Sequence, residues 1–229
     1  MSVNTMEPAA EFATDGGAEL ATARPGSTAV DAGCKALDLV VAGLLCVVLA
    51  PLMAAIALAV RIDSRGPVLF RQRRVGRDHE LFMVAKFRTM HHGADHEVHR
   101  DYVLALMDTA APAPKLAGDV RVTRLGRLLR TTSLDELPQL FNVLRGDMSL
   151  VGPRPPIPYE VSRYPAHWHA RFAVKPGITG VWQVSGRSQV SLEEMIGMDV
   201  DYVRRRSVWL NLWIMVCTVP ALLTMRGAG

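Results

Sequence analysis

The sequence predicts a mainly α-helical membrane protein with one short β-hairpin, and three features of the chain support this. Residues 39–60 carry no charged side chain, and a helix of that length would cross a hydrocarbon core of about 30 Å. Apolar and polar residues alternate on both sides of residues 76–78, which predicts the hairpin. A second uncharged run, residues 207–225, follows three arginines and carries two tryptophans, which is typical of a helix in a membrane interface.

These features divide the 229-residue chain into three parts. Residues 1–32 are predicted to be a disordered tail, because they are rich in Ala, Gly, Thr and Glu and lack apolar periodicity. Residues 33–62 form the membrane segment, and residues 63–229 form a cytoplasmic or interfacial domain. The three cysteines are odd in number and two lie in apolar runs, so we expect free thiols in a reducing compartment.

Pro51 leaves the path of the membrane segment open. Its ring removes a backbone donor and clashes with the preceding turn, so it divides the apolar run into two parts that are each too short to span a bilayer. A kinked spanning helix and a broken helix that returns to the same face are equally consistent with this pattern. Residues 61–88 hold eight Lys or Arg against three acids, which places this flank in the cytoplasm.

The other basic and apolar stretches also have alternatives. The hairpin arginines suit contact with lipid phosphates. The C-terminal run is long enough to suggest a second spanning helix, but Asn211 and Pro220 interrupt it, and we favour an interfacial helix. Three histidines at 92, 96 and 99 share one helical face, but nothing else indicates a metal site, so a solvated helix is the better interpretation.

The stretch TTSLDELPQL, residues 131–140, holds adjacent carboxylates at Asp135 and Glu136. Ser133-x-x-Glu136 has the pattern of a capping box, and it predicts a helix that starts near Ser133 and ends before Gly146. The carboxylates would then lie at the positive end of a helix dipole, with Arg130 close by. Such a place suits a divalent cation that shares charge with a phosphate.

Downstream, Arg154 stands between Pro153 and Pro155, so its backbone loses little entropy when the guanidinium binds a phosphate. Upstream, arginines recur at near-helical spacing over residues 121–130, which is more often a solvated face than a binding surface. Nucleic-acid binding is a weak alternative, because aromatic residues do not alternate with these arginines.

Three motifs together are similar to those of the bacterial sugar transferase family, the monotopic polyprenyl-phosphate phosphoglycosyl transferases. They are KFRTM at 86–90, LLRTTSLDELPQLFNVLRGDMSLVGPRP at 128–155 and KPGITGVWQVSGR at 175–187. The resemblance begins near Lys35 and continues to the C-terminus. The chain is close in length to the small, single-domain members of the family. Its C-terminal segment resembles that of members that begin exopolysaccharide synthesis.

The resemblance implies a transfer reaction at the cytoplasmic face of the bacterial inner membrane. Sugar-1-phosphate, of galactose or glucose, passes from a UDP-sugar to undecaprenyl phosphate with release of UMP and with Mg²⁺ as cofactor. Asp135 is implied as the nucleophile that forms an aspartyl-phosphosugar, with Glu136 as its partner and both as metal ligands. The implied substrate-binding residues are Lys86, Arg130, Pro153, Arg154 and Pro155.

The resemblance also implies a monotopic protein whose re-entrant helix breaks at Pro51, with interfacial amphipathic helices. Ala50 precedes this proline where the family usually has Ser, whose hydroxyl would bond a freed carbonyl. The expected partners are a UDP-sugar, undecaprenyl phosphate and inner-membrane lipids, with a homodimer as an open alternative and no nucleic acid. A catalytically silent membrane scaffold of the same shape is the alternative function.

Overall fold

The computed structural model describes residues 28–91, 93, 119–185 and 190–223. The predicted tail as far as residue 27, the three histidines and nearly all of the loop at 108–119 lie outside the described residues. The division into three parts stays a prediction. The helix that contains the first apolar run, α1, extends from Thr28 to Asp63, beyond both limits expected for it.

The predicted hairpin is confirmed. Strands β1 (Leu69–Val75) and β2 (Leu81–Phe87) pair antiparallel, and a 3-10 turn, Arg77–His79, joins them. The further elements follow in chain order as α2 (Arg124–Thr131), a 3-10 turn (Leu134–Glu136), α3 (Gln139–Arg145), β3 (Ser149–Val151), α4 (Pro158–Val161), a 3-10 helix (Ala166–Ala173), β4 (Gly177–Thr179), α5 (Val181–Ser185), α6 (Leu192–Arg205) and α7 (Val208–Leu223).

The hairpin arginines do not share one environment. Arg71 and Arg73 are exposed, whereas Arg74 and Arg88 are buried. Successive side chains of a strand point to opposite faces, so Arg74 is directed inward while its neighbour faces outward. Contact with lipid phosphates therefore suits only part of this basic stretch.

A second strand pair was not predicted. Strands β3 and β4 run parallel, with Ser149 opposite Gly177 and Val151 opposite Thr179. A Cβ atom on Gly177 would lie 2.0 Å from the amide nitrogen of Gly152, so the two backbones approach as closely as only glycine permits. Because Arg154 follows Gly152 closely in the chain, this backbone contact places the loop with Arg154 beside β4.

One face of α1 packs on the rest of the domain, and its buried residues are Cys34, Asp38, Ala42, Met53, Ile56 and Val60. The opposite face exposes large apolar side chains, among them Val40, Leu44, Val47, Val48, Leu58 and Ile62. Within the described residues, α1 is the one helix long and apolar enough to cross a membrane, and 17% of its most apolar stretch is buried. That low buried share differs from the core helix of a soluble protein.

Both sides of Pro51 pack on the same domain. Ala42 belongs to a core cluster with Leu140 of α3, and Met53 belongs to a second cluster with Phe87 of β2. Helical conformation continues through the proline, so the secondary structure does not divide into the two half-helices that the sequence suggests. The re-entrant path stays a prediction.

The N-terminal part of α1 is anchored by a buried carboxylate. Asp38 accepts hydrogen bonds from the Ser149 hydroxyl at 2.7 Å and from the Leu150 amide at 2.9 Å. Nearer the start of the helix, Asp31 pairs with Arg206. These contacts hold the entry of α1 against β3.

The C-terminal end of α1 is anchored by Arg88, the residue that follows β2. Its guanidinium donates to the carbonyl oxygens of Val60 at 3.2 Å and Ser64 at 2.6 Å. A cation at the carboxyl end of a helix also complements the helix dipole. Both ends of α1 are therefore bonded to the domain that follows it.

Helix α7 contains the predicted interfacial run. Its outward face exposes Trp209 and Trp213, which are 81% and 55% exposed. Asn211 does not interrupt the helix as expected, because its side chain is buried and bonds the Tyr202 hydroxyl at 2.8 Å. Pro220 also lies within the helix. The exposed aromatic face suits an interface with lipid, and the choice between lying on and spanning the membrane stays open.

Gly126→Ala is expected to destabilise the protein by roughly 3 kcal/mol or more, because overpacking against rigid backbone cannot relax easily. A Cβ at Gly126 of α2 would lie 2.0 Å from the carbonyl oxygen of Thr89. Thermal unfolding in detergent measures the effect. Gly197→Ala is the matched helical control, since its Cβ would meet nothing within 4 Å. Equal melting temperatures for the two variants would contradict the close packing of α2 on Thr89.

Candidate active site

The carboxylate pair lies in a short 3-10 turn rather than in the first turn of a long helix. Ser133 has a φ of 58° and its side chain makes no capping bond, so the predicted capping box is absent. Helix α3 starts only at Gln139, with Pro138 as its N-cap residue. Asp135 and Glu136 therefore precede the helix, and a direct effect of its dipole on them is weaker than expected.

The predicted end of this helix is confirmed. Gly146 has a φ of 87° and its amide donates to the carbonyl oxygens of Asn142 and Val143. Only glycine adopts this left-handed conformation without strain, which is why the helix stops here. The turn back toward β3 begins at the same residue.

Asn142 of α3 holds the helix against the free edge of β2. Its side-chain oxygen accepts from the Ala85 amide at 3.1 Å, and its side-chain nitrogen donates to the Met83 carbonyl at 2.8 Å. The side-chain amide of Asn142 thus makes the two backbone hydrogen bonds that a neighbouring strand would make with β2. The next residue of β2, Lys86, then reaches Glu136, and its ammonium nitrogen lies 2.5 Å from the carboxylate oxygen Oε1.

Arg130 approaches the same turn from α2. Its Nε donates to the Thr89 hydroxyl at 2.9 Å, and Gly126, one turn earlier, packs on the Thr89 backbone. Of the regularly spaced arginines in this region, Arg121 pairs with Asp119 instead. The regularly spaced arginines over residues 121–130 therefore do not act as one basic surface, because Arg121 and Arg130 make separate contacts.

Arg154 is held by its backbone and leaves its side chain exposed. Its carbonyl oxygen accepts from Arg171 at 2.9 Å, and Arg171 forms a buried ion pair of 2.5 Å with Asp199. The two flanking prolines lie in different places. Pro155 lines the cavity beside Glu136, and Pro153 lines a neighbouring cavity. Arg154 borders both.

The cavity beside Glu136 brings together most of the predicted residues. Its charged lining consists of Arg74, Lys86, Glu136 and Arg154. Two glutamines, Gln139 and Gln183, add polar groups. Asp135 and Arg130 are not among the lining residues. Asp135 interacts electrostatically with Lys86 and Glu136 of the lining, and Arg130 interacts with Asp135.

Sequence reasoning missed the roles of Arg74 and Gln139. In the hairpin register, Arg74 faces Phe82 and Lys86 faces Phe70, so Arg74 and Lys86 lie on the same face of the sheet. Strand alternation alone could have found this relation. No sequence signal distinguished Gln139 from an ordinary helical residue.

The environment of Asp135 disfavours its charge. Burial and the neighbouring Glu136 carboxylate raise the pKa of this carboxyl, Lys86 and Arg130 lower it, and the net pKa is about 6. At neutral pH the side chain is still mostly ionised. A desolvated anion beside cations is a strong nucleophile without any base to activate it.

The other charged groups respond differently. Burial would raise the pKa of Glu136, but the Lys86 ammonium and the nearby arginines outweigh burial and hold the pKa below its usual range. For Arg74, burial and the like charge of Arg154 lower the pKa to about 10, so it stays a cation. Burial likewise lowers the pKa of Arg130, against the attraction of Asp135.

The acidic pair meets part of what Mg²⁺ requires. Mg²⁺ in proteins is bound by one or two carboxylates together with water and substrate phosphates. Asp135 and Glu136 supply adjacent carboxylates, whereas no group of three His, Cys, Asp or Glu among the described residues could hold a metal ion. The pair therefore fits a cation whose coordination is completed by a phosphate-bearing substrate.

Asp135→Asn is expected to raise the melting temperature at pH 7.5. The folded-state pKa lies above the ordinary value of 3.8, so the stability that Asp135 contributes is present below pH 4 and is lost as the pH rises through about 6. The shift corresponds to roughly 2–3 kcal/mol at neutral pH, and the difference from wild type should shrink as the pH falls. Thermal unfolding without Mg²⁺ or substrate measures this.

Asp119→Asn is the control of opposite sign. Its hydrogen bonds with Arg121 hold the pKa of Asp119 at about 2, so its loss should lower the melting temperature at pH 7.5. A lower melting temperature for Asp135→Asn as well would contradict the electrostatic account of the site.

Comparison with known proteins places this geometry in context. The chain is 42% identical over 222 residues to the UDP-glucose:undecaprenyl-phosphate glucose-1-phosphate transferase of Caulobacter vibrioides, covering 92% of this chain and 78% of that protein. It is 36% identical over 196 residues to the exopolysaccharide production protein ExoY of Sinorhizobium fredii, covering 85% of this chain and 87% of that protein.

A third relative is much longer. The chain is 40% identical over 199 residues to the undecaprenyl-phosphate galactose phosphotransferase of Salmonella typhimurium, covering 85% of this chain but 41% of that protein. The model of the family described as bacterial sugar transferase matches residues 31–225, which include α1, the hairpin, the carboxylate turn and both strands of the parallel pair. The chain therefore belongs to the bacterial sugar transferase family.

Proposed function

We propose that this protein transfers a sugar-1-phosphate from a UDP-sugar to undecaprenyl phosphate and releases UMP, as an early membrane step of exopolysaccharide synthesis. The observation that carries the proposal is a buried carboxylate, Asp135, beside a cavity lined by Arg74, Lys86 and Arg154. The names of the relatives support the substrates, since they include undecaprenyl-phosphate glucose and galactose transferases.

In the first half-reaction, a carboxylate oxygen of Asp135 attacks the phosphorus that carries the sugar. A new oxygen–phosphorus bond forms, the bond from that phosphorus to the bridging oxygen breaks, and UMP leaves with that oxygen and its electron pair. No proton transfer is needed, because the nucleophile is already an anion. Lys86 and Arg154 offset the negative charge that develops on the phosphoryl oxygens.

In the second half-reaction, a phosphate oxygen of undecaprenyl phosphate attacks the same phosphorus. The bond to Asp135 breaks, which restores the carboxylate and yields a lipid diphosphosugar. This acceptor is also an anion, so it needs no base at neutral pH. Two bulky substrates then use one small site in turn, and ping-pong kinetics follow.

Mg²⁺ is the cofactor we propose, with Asp135 and Glu136 as its protein ligands. When bound, it would neutralise charge on the diphosphate and orient it for in-line displacement. The protein's own contribution is to hold the carboxylates in place. The Lys86–Glu136 ion pair of 2.5 Å does this for Glu136 and keeps a cation next to Asp135.

The location we propose is the cytoplasmic face of the bacterial inner membrane, with α1 entering the bilayer and returning. Two features support this path: Asp38 and Arg88 bond opposite parts of α1 to one domain, and one face of the helix packs on that domain throughout. The exposed faces of α1 and α7 provide the apolar surface for lipid. A homodimer stays a prediction.

Asp135→Asn is expected to reduce UMP release by at least a thousandfold, because an amide cannot replace the anionic nucleophile. The assay uses purified protein in detergent with Mg²⁺, undecaprenyl phosphate and a panel of UDP-sugars that includes UDP-glucose and UDP-galactose. Asp201→Asn, an exposed acid on α6, is the control and should keep wild-type activity.

Two results of this assay would contradict the proposal. Wild-type turnover by Asp135→Asn would exclude the assigned nucleophile. A wild-type protein that releases no UMP from any UDP-sugar would favour the catalytically silent scaffold.

The path of α1 is tested by cysteine labelling in a variant without native cysteines. Single cysteines at Ala32 and Arg65, both exposed positions at opposite ends of the apolar run, should react with a membrane-impermeant maleimide only after the inner face is opened. Labelling of position 32 in intact spheroplasts, with position 65 protected, would show that the helix spans the membrane instead.

A further inference from the structure

The cavity beside Glu136 holds more positive than negative charge. Three cationic side chains, Arg74, Lys86 and Arg154, face one carboxylate among its lining residues. Lys86 is already paired with that carboxylate at 2.5 Å. Glu136 also attracts the two arginines, but one carboxylate does not balance three cations.

Arg74 is the more unusual of the two because it is buried. It is 9% exposed, whereas Arg154 is an exposed residue. One terminal nitrogen of Arg74 donates to the Pro155 carbonyl at 3.0 Å and the other donates to the Gln72 side-chain oxygen at 2.8 Å. Both acceptors are neutral, and among the described residues Glu160 and Glu136 attract its charge only from beyond ion-pair distance.

A buried cation without an anionic partner is costly, and a like charge nearby increases the cost. Structural arginines usually avoid this by pairing, as Arg171 does with Asp199 in the same domain at 2.5 Å. Arg74 is positioned by neutral acceptors instead, and its guanidinium lines the cavity. That arrangement suits an arginine whose counter-ion is a ligand.

Gln139 adds neutral polar groups to the wall of this cavity. Its side chain lines the cavity and is 3% exposed. A side-chain amide carries both donors and an acceptor, so it can hydrogen-bond a polar molecule that the two arginines attract.

We propose that Arg74 binds the diphosphate of the nucleotide sugar directly, as a specificity-determining residue on the strand that faces Lys86. The planar guanidinium presents paired N–H groups that match the oxygens of a phosphate. Arg74 and Arg154 together balance the charge of a diphosphate better than that of a monophosphate. The inference rests on the proposed function for the identity of the ligand, but it does not require that transfer occurs.

The experiment measures equilibrium binding of UDP, UMP and uridine to the detergent-purified protein by calorimetry, with Mg²⁺ present. Arg74→Gln should weaken UDP binding by at least tenfold, weaken UMP binding less, and leave uridine binding within twofold. Arg73→Gln is the matched control, because Arg73 is exposed on the opposite face of the same strand. It should leave all three affinities within twofold.

Arg74→Lys covers the case in which the glutamine variant does not fold. It keeps the charge but loses the fork of donors, so UDP binding should weaken by about fivefold at an unchanged melting temperature.

The proposal is overturned if either Arg74 variant binds UDP as tightly as wild type. It is also overturned if UDP and uridine lose affinity equally, which would indicate a structural role, or if the wild-type protein does not bind UDP. None of these results depends on Asp135 chemistry, so failure here and failure of the transfer reaction are distinguishable.

Discussion

The ion pair between Lys86 and Glu136 is the contact on which the geometry of the site depends, because it joins the hairpin to the carboxylate turn at 2.5 Å. Its neighbours within β2 and just after it extend the same connection. Ala85 bonds Asn142 of α3, Arg88 bonds the end of α1, and Thr89 accepts from Arg130 of α2. One strand end therefore touches every element that carries a predicted site residue, apart from the loop with Arg154. A shift of that strand would move the proposed nucleophile, its neighbouring cations and α1 together.

Under the proposed function, this arrangement would couple the position of the protein in the membrane to its chemistry. Helix α1 and helix α7 each expose an apolar face and bury the other against the domain. The desolvation that raises the pKa of Asp135 is part of the same design, since a buried anion destabilises the fold but reacts readily with phosphorus. Buried contacts elsewhere offset that cost, among them the close packing of Gly126 on Thr89.

The sequence predicted those parts of the structure that are determined by residues close together in the chain. Alternation around residues 76–78 predicted the hairpin, and Gly146 predicted the end of α3. The capping box failed, because Ser133 adopts a left-handed conformation that inserts a 3-10 turn before the helix. The parallel pair of β3 and β4 depends on contact between glycines distant in sequence, which periodicity does not reveal. The sequence does not distinguish Arg74 from Arg73, because only the orientation of β1 in the fold decides which of the two is buried.

The most direct test of the central claim is isotope exchange without the lipid acceptor. If Asp135 forms a phosphosugar intermediate, the first half-reaction is reversible on its own. Wild-type protein with Mg²⁺, a UDP-sugar and radiolabelled UMP should then incorporate label into the UDP-sugar, and Asp135→Asn should not. Absence of exchange by a wild-type preparation that completes the full transfer when undecaprenyl phosphate is added would contradict the covalent mechanism and favour direct displacement between the two bound substrates.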